Sequence, residues 1–391
     1  MISHIRYILI LDIYISFCSY KPVKEHIWKI WNSKLIGYFV PDEIWHFSYE
    51  TIFESQLPII NLKESEASFK LTSALKEWGF AYITGHDISA EVVERAYLEN
   101  KNFFDLPMRT KRDLQADRRL ALKTTRGYTR INAEQLDVSP NGRPDIKEVF
   151  DVGYTNPSAG KNAKHHLGRN KWPRIKRPNG SRGKREIGDE MKTGLDEYTS
   201  HISSLAKNLL GDVFTELGCE KDLGAFFGTN ALQVLRLTRY PASNSITKQE
   251  YGQIGAGVHS DYGGTTVLSA QGQGLSVLKP NRSSEYQEKG TFSDELLIPN
   301  NNHWVEVPSI NNTFIVMAGE ALQRLSNGHV YAVKHKVELS ETLPRYSLAF
   351  FHDPNPESVL KPMECVTKNH SPIYGAKVAG HKGVIRNVLS N

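Results

Sequence analysis

The sequence predicts an α+β fold in which a helix-rich first half leads into a β-rich second half closed as a barrel or jelly roll. Two observations carry this. Apolar residues recur at helical spacing around residues 71–78 and again over 202–217. From Ala231 onward the texture changes to short β-rich segments punctuated by turns.

Taken in order, Leu57-Pro-Ile-Ile-Asn-Leu62 is a short apolar run that reads as a strand. Leu71, Ala74, Leu75 and Trp78 then mark one helical face, stopped by Gly79. Residues 80–83 read as a strand closing at Gly85, and a second helix is expected from about Glu91 to Asn102. Ile202, Leu205, Ala206, Leu209, Leu210, Val213, Phe214 and Leu217 give a core helix that ends at Gly218. Eight strands are expected after it, at residues 232–238, 257–260, 265–270, 275–278, 304–307, 313–318, 330–339 and 346–351.

Three stretches stand apart. Residues 155–190 crowd Lys161, Lys164, Arg169, Lys171, Arg174, Lys176, Arg177, Arg182, Lys184 and Arg185 among Gly, Pro and Asn, a composition that buries little. That segment is either a solvated face or a lid bringing positive charge to an acidic substrate. Residues 281–302 look like an insertion between strands. Residues 1–55 are an amino-terminal extension: a packed extra helix, a weak targeting segment or an artefact of gene prediction. The apolar run near its start is too short to span a membrane, and Asp12 interrupts it.

Composition narrows the function. A formal net charge of +5 over 391 residues is mild; it suits an anionic small molecule without demanding nucleic acid. Aromatic and basic residues are not interleaved as a nucleic-acid platform requires, which excludes that class. Cys18, Cys219 and Cys365 are far apart in sequence and contain no C-x-x-C, so reduced thiols in a cytoplasmic protein are expected.

The chemistry begins with His259-Ser-Asp261, whose first and third side chains share a face in extended chain. A lone H-x-D is expected by chance in a sequence with 14 histidines. His335 strengthens the signal, lying in a β-rich run after the Ser326-Asn-Gly328 turn. Two imidazoles and a carboxylate on one side of a metal form the facial arrangement of non-haem Fe(II) oxygenases. Arg345 and Ser347, two apart in a strand, offer a guanidinium fork and a hydroxyl suited to a carboxylate.

Together these motifs resemble the isopenicillin N synthase-like family of Fe(II)/2-oxoglutarate-dependent dioxygenases. The likeness covers about residues 56–375. It runs through Trp78-Gly-Phe-Ala-Tyr-Ile-Thr-Gly-His86, Phe103-Phe-Asp-Leu-Pro107, Arg126-Gly-Tyr128, Asp145-Ile-Lys-Glu-Val-Phe-Asp-Val-Gly153, Arg239-Tyr-Pro241, His259-Ser-Asp-Tyr-Gly-Gly264, His335-Lys-Val337 and Arg345-Tyr-Ser347. It implies a distorted double-stranded β-helix (jelly roll) over residues 231–375, a helical and mixed region over 56–230 that flanks it, and a tail at 376–391.

The resemblance also implies cofactors and roles. Fe(II) would be held by His259, Asp261 and His335, with 2-oxoglutarate and O2 as co-substrates. Arg345, Ser347 and Tyr240 would bind 2-oxoglutarate, and Phe351 and Tyr128 would face the substrate. The activity implied is oxidation of an unactivated C–H bond of a small, anionic metabolite by a monomer, in specialised metabolism, with hydroxylation as the default outcome. Oxidative ring closure, as in isopenicillin N synthase or the kainoid synthases, is the alternative; from another class, so is a silent jelly-roll binding protein. The chain departs from the family in its longer His259-to-His335 interval, accounted for by residues 281–302, in an excess at 174–191, and in Lys336 where Arg is more frequent.

Overall fold

A computed structural model describes residues 57–116, 126–153, 170–174, 187–246, 254–279, 304–369 and 371–379. The extension at 1–55, most of the basic stretch, the 281–302 insertion and most of the tail lie outside these residues.

The first half lays down β1 (Ile59–Asn61), α1 (Ala67–Glu77), β2 (Phe80–Thr84), α2 (Ala90–Phe104), α3 (Met108–Asp113), β3 (Gly127–Thr129), β4 (Glu148–Gly153), α4 (Ile187–Glu216) and α5 (Glu220–Phe227). The second half supplies β5 (Leu232–Tyr240), β6 (Ala256–His259), β7 (Thr265–Gln271), β8 (Leu275–Leu278), β9 (Trp304–Glu306), β10 (Phe314–Ala318) and α6 (Glu320–Leu325). It closes with β11 (His335–Val337), β12 (Arg345–Asp353), β13 (Val359–Leu360), α7 (Glu364–Thr367) and β14 (Lys377–Val378).

An eight-stranded sheet runs β1-β2-β10-β7-β12-β5-β4-β3, and a four-stranded sheet runs β6-β11-β8-β9. These sheets are the jelly roll, flanked by helices. Strand alternation divides the large sheet between two cores. One face, carrying Leu235, Leu237, Val267, Leu348 and Phe350, packs with residues of α1, α2 and α4. The other, carrying Tyr240, Leu268, Ile315 and Met317, packs with Val277 and Val337 of the small sheet. Each fully buried Leu or Phe contributes about 1.5–3 kcal/mol of burial free energy, so both layers hold the sheet in place.

Gly79 ends α1 with φ +75°, and a Cβ there would lie 2.5 Å from the Tyr331 carbonyl oxygen. Only glycine permits that backbone approach.

Several expectations are corrected. Of residues 330–339 only His335–Val337 form a strand; before them Lys334 still accepts the Leu278 N–H of β8 at 2.8 Å, but residues 331–334 belong to no strand. Strands β3 and β4 were not anticipated, because β4 is buried on both faces and so lacks a polar alternation. The expectation of reduced thiols fails for two cysteines. Cys219 and Cys365, 146 residues apart in sequence, form a disulfide with Cα atoms 5.6 Å apart. The bond ties the start of α5 to α7, a proximity created by the tertiary fold and invisible in the spacing. Among the described residues no helix is long and apolar enough to cross a membrane.

Candidate metal centre

β6 delivers His259 at its last position, and the chain then turns through residues 260–264 before entering β7. Backbone bonds fix that turn: Glu320 N–H donates to the Asp261 carbonyl at 2.8 Å, and Gly264 N–H to the His352 carbonyl at 3.0 Å. Ser260 adds a 2.8 Å bond from its hydroxyl to Glu320. Gly263 is required, because a Cβ there would lie 1.8 Å from Oδ1 of Asp353.

β11 pairs antiparallel with β6 so that His335 sits directly opposite His259. The ring centroids are 4.2 Å apart. Nε2 of His259 lies 3.9 Å from Oδ1 of Asp261, and Nε2 of His335 lies 3.8 Å from the same oxygen. Each imidazole directs Nδ1 at a backbone carbonyl, His259 to Gly257 at 2.7 Å and His335 to Val333 at 3.1 Å. Donation from Nδ1 leaves Nε2 as a lone-pair donor, the tautomer a metal requires. Burial, then the neighbouring His335 and Lys147, keep the His259 imidazole well below its usual pKa and hence neutral. Thr266 donates its hydroxyl to Asp261 Oδ2, leaving Oδ1 turned to the imidazoles. Two imidazole nitrogens and one carboxylate oxygen converging within 4.8 Å suit a divalent transition metal. The second such cluster among the described residues, Cys219, Asp222 and Cys365, has its sulfurs committed to the disulfide.

β12 places Arg345 opposite Tyr240 of β5 and Ser347 opposite Thr238. The guanidinium lies 5.0 Å above the Tyr240 ring. Arg345 is 3% exposed, and its Nε has no hydrogen-bond partner among the described residues. A buried guanidinium edge without a partner fits a ligand carboxylate, the group 2-oxoglutarate would present.

Phe351 lies on the same face of β12, with the Arg236 guanidinium 5.7 Å from its ring. Tyr128 does not join this group. Its register runs from Phe150 to Leu237, which places it on the helix-packed face. There it packs beside Phe103, and its hydroxyl donates to Glu148. The expectation that Tyr128 meets the substrate is therefore corrected: odd and even positions of these strands serve opposite faces.

Sequence reasoning missed the charged network behind the site. Asp145 accepts the Gly257 N–H at 2.9 Å, anchoring the residue whose carbonyl orients His259. Lys147 pairs with Asp145 at 3.1 Å and Glu134 at 3.5 Å. Arg236 binds Asp151 through Nε and Nη2, both at 2.8 Å, and reaches Glu134 at 3.4 Å. The only trace of it in the sequence was the pair Asp145 and Lys147, two residues apart, because Val149 breaks the run before Asp151. Asp353, two residues past Phe351, was also missed; burial, with Asp261 adding to it, pushes its carboxyl up to about 7.

Comparison with known proteins points the same way as the fold. Residues 57–175 match the family described as non-haem dioxygenase in morphine synthesis N-terminal, and residues 230–354 match the 2OG-Fe(II) oxygenase superfamily. The chain is 27% identical over 333 residues to homoarginine-6-hydroxylase 2-ODD-233 of Oryza sativa subsp. japonica, covering 82% of this chain and 88% of that protein. It is 28% identical over 303 residues to the 2-oxoglutarate-dependent dioxygenase tropC of Talaromyces stipitatus, covering 75% and 82%. Among solved structures, JOX2 in complex with 2OG, Fe and JA superposes with a TM-score of 0.62 at 24% identity, covering 84% of this chain and 86% of that one. The dioxygenase for auxin oxidation in rice gives 0.55 at 21% identity, covering 80% and 87%.

Proposed function

Because the chain belongs to the 2-oxoglutarate–Fe(II) oxygenase superfamily, we propose that His259, Asp261 and His335 hold its iron and that it oxidises an unactivated C–H bond of a small metabolite. The enzyme is a 2-oxoglutarate-dependent dioxygenase, with Fe(II) as cofactor and 2-oxoglutarate and O2 as co-substrates. The single observation that carries the residue assignment is the convergence of two Nε2 atoms on Asp261 Oδ1.

Bound iron, with 2-oxoglutarate and O2, supplies the oxidising power that breaks the C–H bond, 2-oxoglutarate leaving as succinate and CO2. The chain's own residues bind and orient. His259 and His335 would hold the iron through Nε2, each ring oriented by its bond to a backbone carbonyl, and Asp261 through Oδ1 while Thr266 occupies Oδ2. Three protein groups would hold the iron, and such a two-histidine, one-carboxylate set leaves room for co-substrates. Arg345 would receive the far carboxylate of 2-oxoglutarate, with Ser347 on the same strand face and the Tyr240 ring under the guanidinium. Phe351 forms the apolar wall against which the substrate rests. Hydroxylation is the default outcome and ring closure the alternative, since the position of the substrate C–H decides between them.

The anionic substrate expected from the 161–185 stretch rests mostly on residues outside those described, Lys171 and Arg174 excepted, and Lys171 donates to the Gln115 carbonyl. Beside Phe351 the cation is Arg236, which is already paired with Asp151 and Glu134. Anaerobic titration with Fe(II) and then 2-oxoglutarate tests the reading, with succinate release measured on a metabolite panel. Stoichiometric iron binding, abolished in His335→Ala, is expected; wild-type protein that binds no iron would exclude it.

A further inference from the structure

β12 keeps an unbroken antiparallel register with β5 from Arg345 to Asp353. Arg345, Ser347, Ala349, Phe351 and Asp353 therefore line one face in succession. The first two stand at the co-substrate end, and Phe351 follows on the substrate side. Asp353 ends the row beside the turn that carries Asp261, its Oδ1 packed so close to Gly263 that a Cβ there would overlap it. It is partly buried, and among the described residues no cation pairs with it. A desolvated carboxylate without a counter-ion is costly unless another molecule supplies one.

The neighbouring cations cannot serve an anionic ligand. Arg236 is held by Asp151 at 2.8 Å through two nitrogens and by Glu134 at 3.4 Å through two. Lys147 is held by Asp145 at 3.1 Å and Glu134 at 3.5 Å. Two cations thus face three carboxylates before Asp353 is added. A substrate carboxylate would have to displace Asp151 from a bidentate pair, whereas an ammonium or guanidinium meets an unengaged acceptor.

We propose that Asp353 is a specificity-determining residue that receives a cationic group of the substrate, so that the enzyme acts on an amine- or guanidine-bearing small molecule. The inference rests on the oxygenase reading of the same site. It places the substrate's aliphatic portion against Phe351 and its charged end beyond it, next to Asp353.

A matched trio of probes tests it: butylguanidinium, its neutral isostere butylurea, and pentanoate. Each is titrated into anaerobic protein loaded with Fe(II) and 2-oxoglutarate, with affinity read by thermal shift and loading by the iron–2-oxoglutarate absorption band. Wild type is expected to bind butylguanidinium about tenfold or more tightly than either of the others, the ratio a charge-assisted hydrogen bond confers. Asp353→Asn should erase that ratio and Asp353→Glu restore most of it, both variants keeping the band. Equal binding of all three probes by wild type that shows the band would overturn the cation assignment alone. So would a ratio that survives in Asp353→Asn. Wild type without the band would overturn the oxygenase reading and this inference with it.

Discussion

The Thr266 hydroxyl donates to Oδ2 of Asp261 at 2.5 Å, so the carboxylate reaches the imidazoles through Oδ1 alone. A hydroxyl near the start of β7 thus decides which oxygen, and which rotamer, Asp261 offers. Thr266→Val should keep the fold and lower Fe(II) affinity by about 10- to 100-fold, as loss of an orienting partner does at other metal sites. Anaerobic iron titration measures this, and an unchanged affinity would mean that Thr266 does not position Asp261.

Arg345 is a buried cation whose Nε has no hydrogen-bond partner among the described residues. Arg345→Gln should raise the KM for 2-oxoglutarate by about 10- to 100-fold, matching the loss of a hydrogen bond to a charged group. The KM for the organic substrate should move much less. Initial rates at varied 2-oxoglutarate separate the two, and a shift confined to the organic substrate would move Arg345 out of the co-substrate site.

Tyr128 and Phe351 should part company in the same assay. Tyr128→Phe removes one bond to Glu148, which Lys111 at 2.7 Å and Arg239 at 3.2 Å still hold. A stability loss of about 1 kcal/mol is expected, with substrate KM unchanged. Phe351→Ala should raise substrate KM. A substrate effect from Tyr128→Phe would return that residue to the pocket.

Reduction of Cys219–Cys365 should destabilise the protein by about 2–4 kcal/mol, because the bond closes a long loop in the unfolded chain. Cys365→Ser should reproduce the shift in melting temperature. An identical midpoint with and without reductant would show that the bond does not restrain the unfolded chain.

His352 carries the acid sensitivity of the helix-side core. Its ring is 1% exposed and meets Phe227 edge-on at 5.5 Å, and burial, with Lys207 adding to it, lowers its pKa to about 4. The unfolded chain takes up a proton near 6.5 that the folded chain refuses until about 4. Stability from this group is therefore complete above 6.5 and falls as pH drops toward 4, by about 3 kcal/mol in all. His352→Phe should flatten that slope in denaturant titrations between those pH values; an unaltered slope would assign the sensitivity elsewhere.

Much of the site was legible because its parts are local. His259 and Asp261 share a face by spacing, Arg345 and Ser347 by the same rule, and the order of motifs reached Tyr240 and Phe351 through family likeness. The helices over Ala67–Glu77 and Ile187–Glu216 showed in their apolar period. What stayed hidden needed a second element. Tyr128 looked equivalent to Phe351 until the register of β3 on β4, and of β4 on β5, assigned it to the other face.

The sequence by itself determined which side chains share a face within each strand and helix, since that follows from backbone geometry one element at a time. Tertiary structure alone decided which faces meet: His335 opposite His259, Cys219 against Cys365, Asp353 beside the Asp261 turn. Those pairings arise from long-range strand register and helix docking. No short-range periodicity encodes them, because their stability comes from surface buried jointly by segments far apart in the chain.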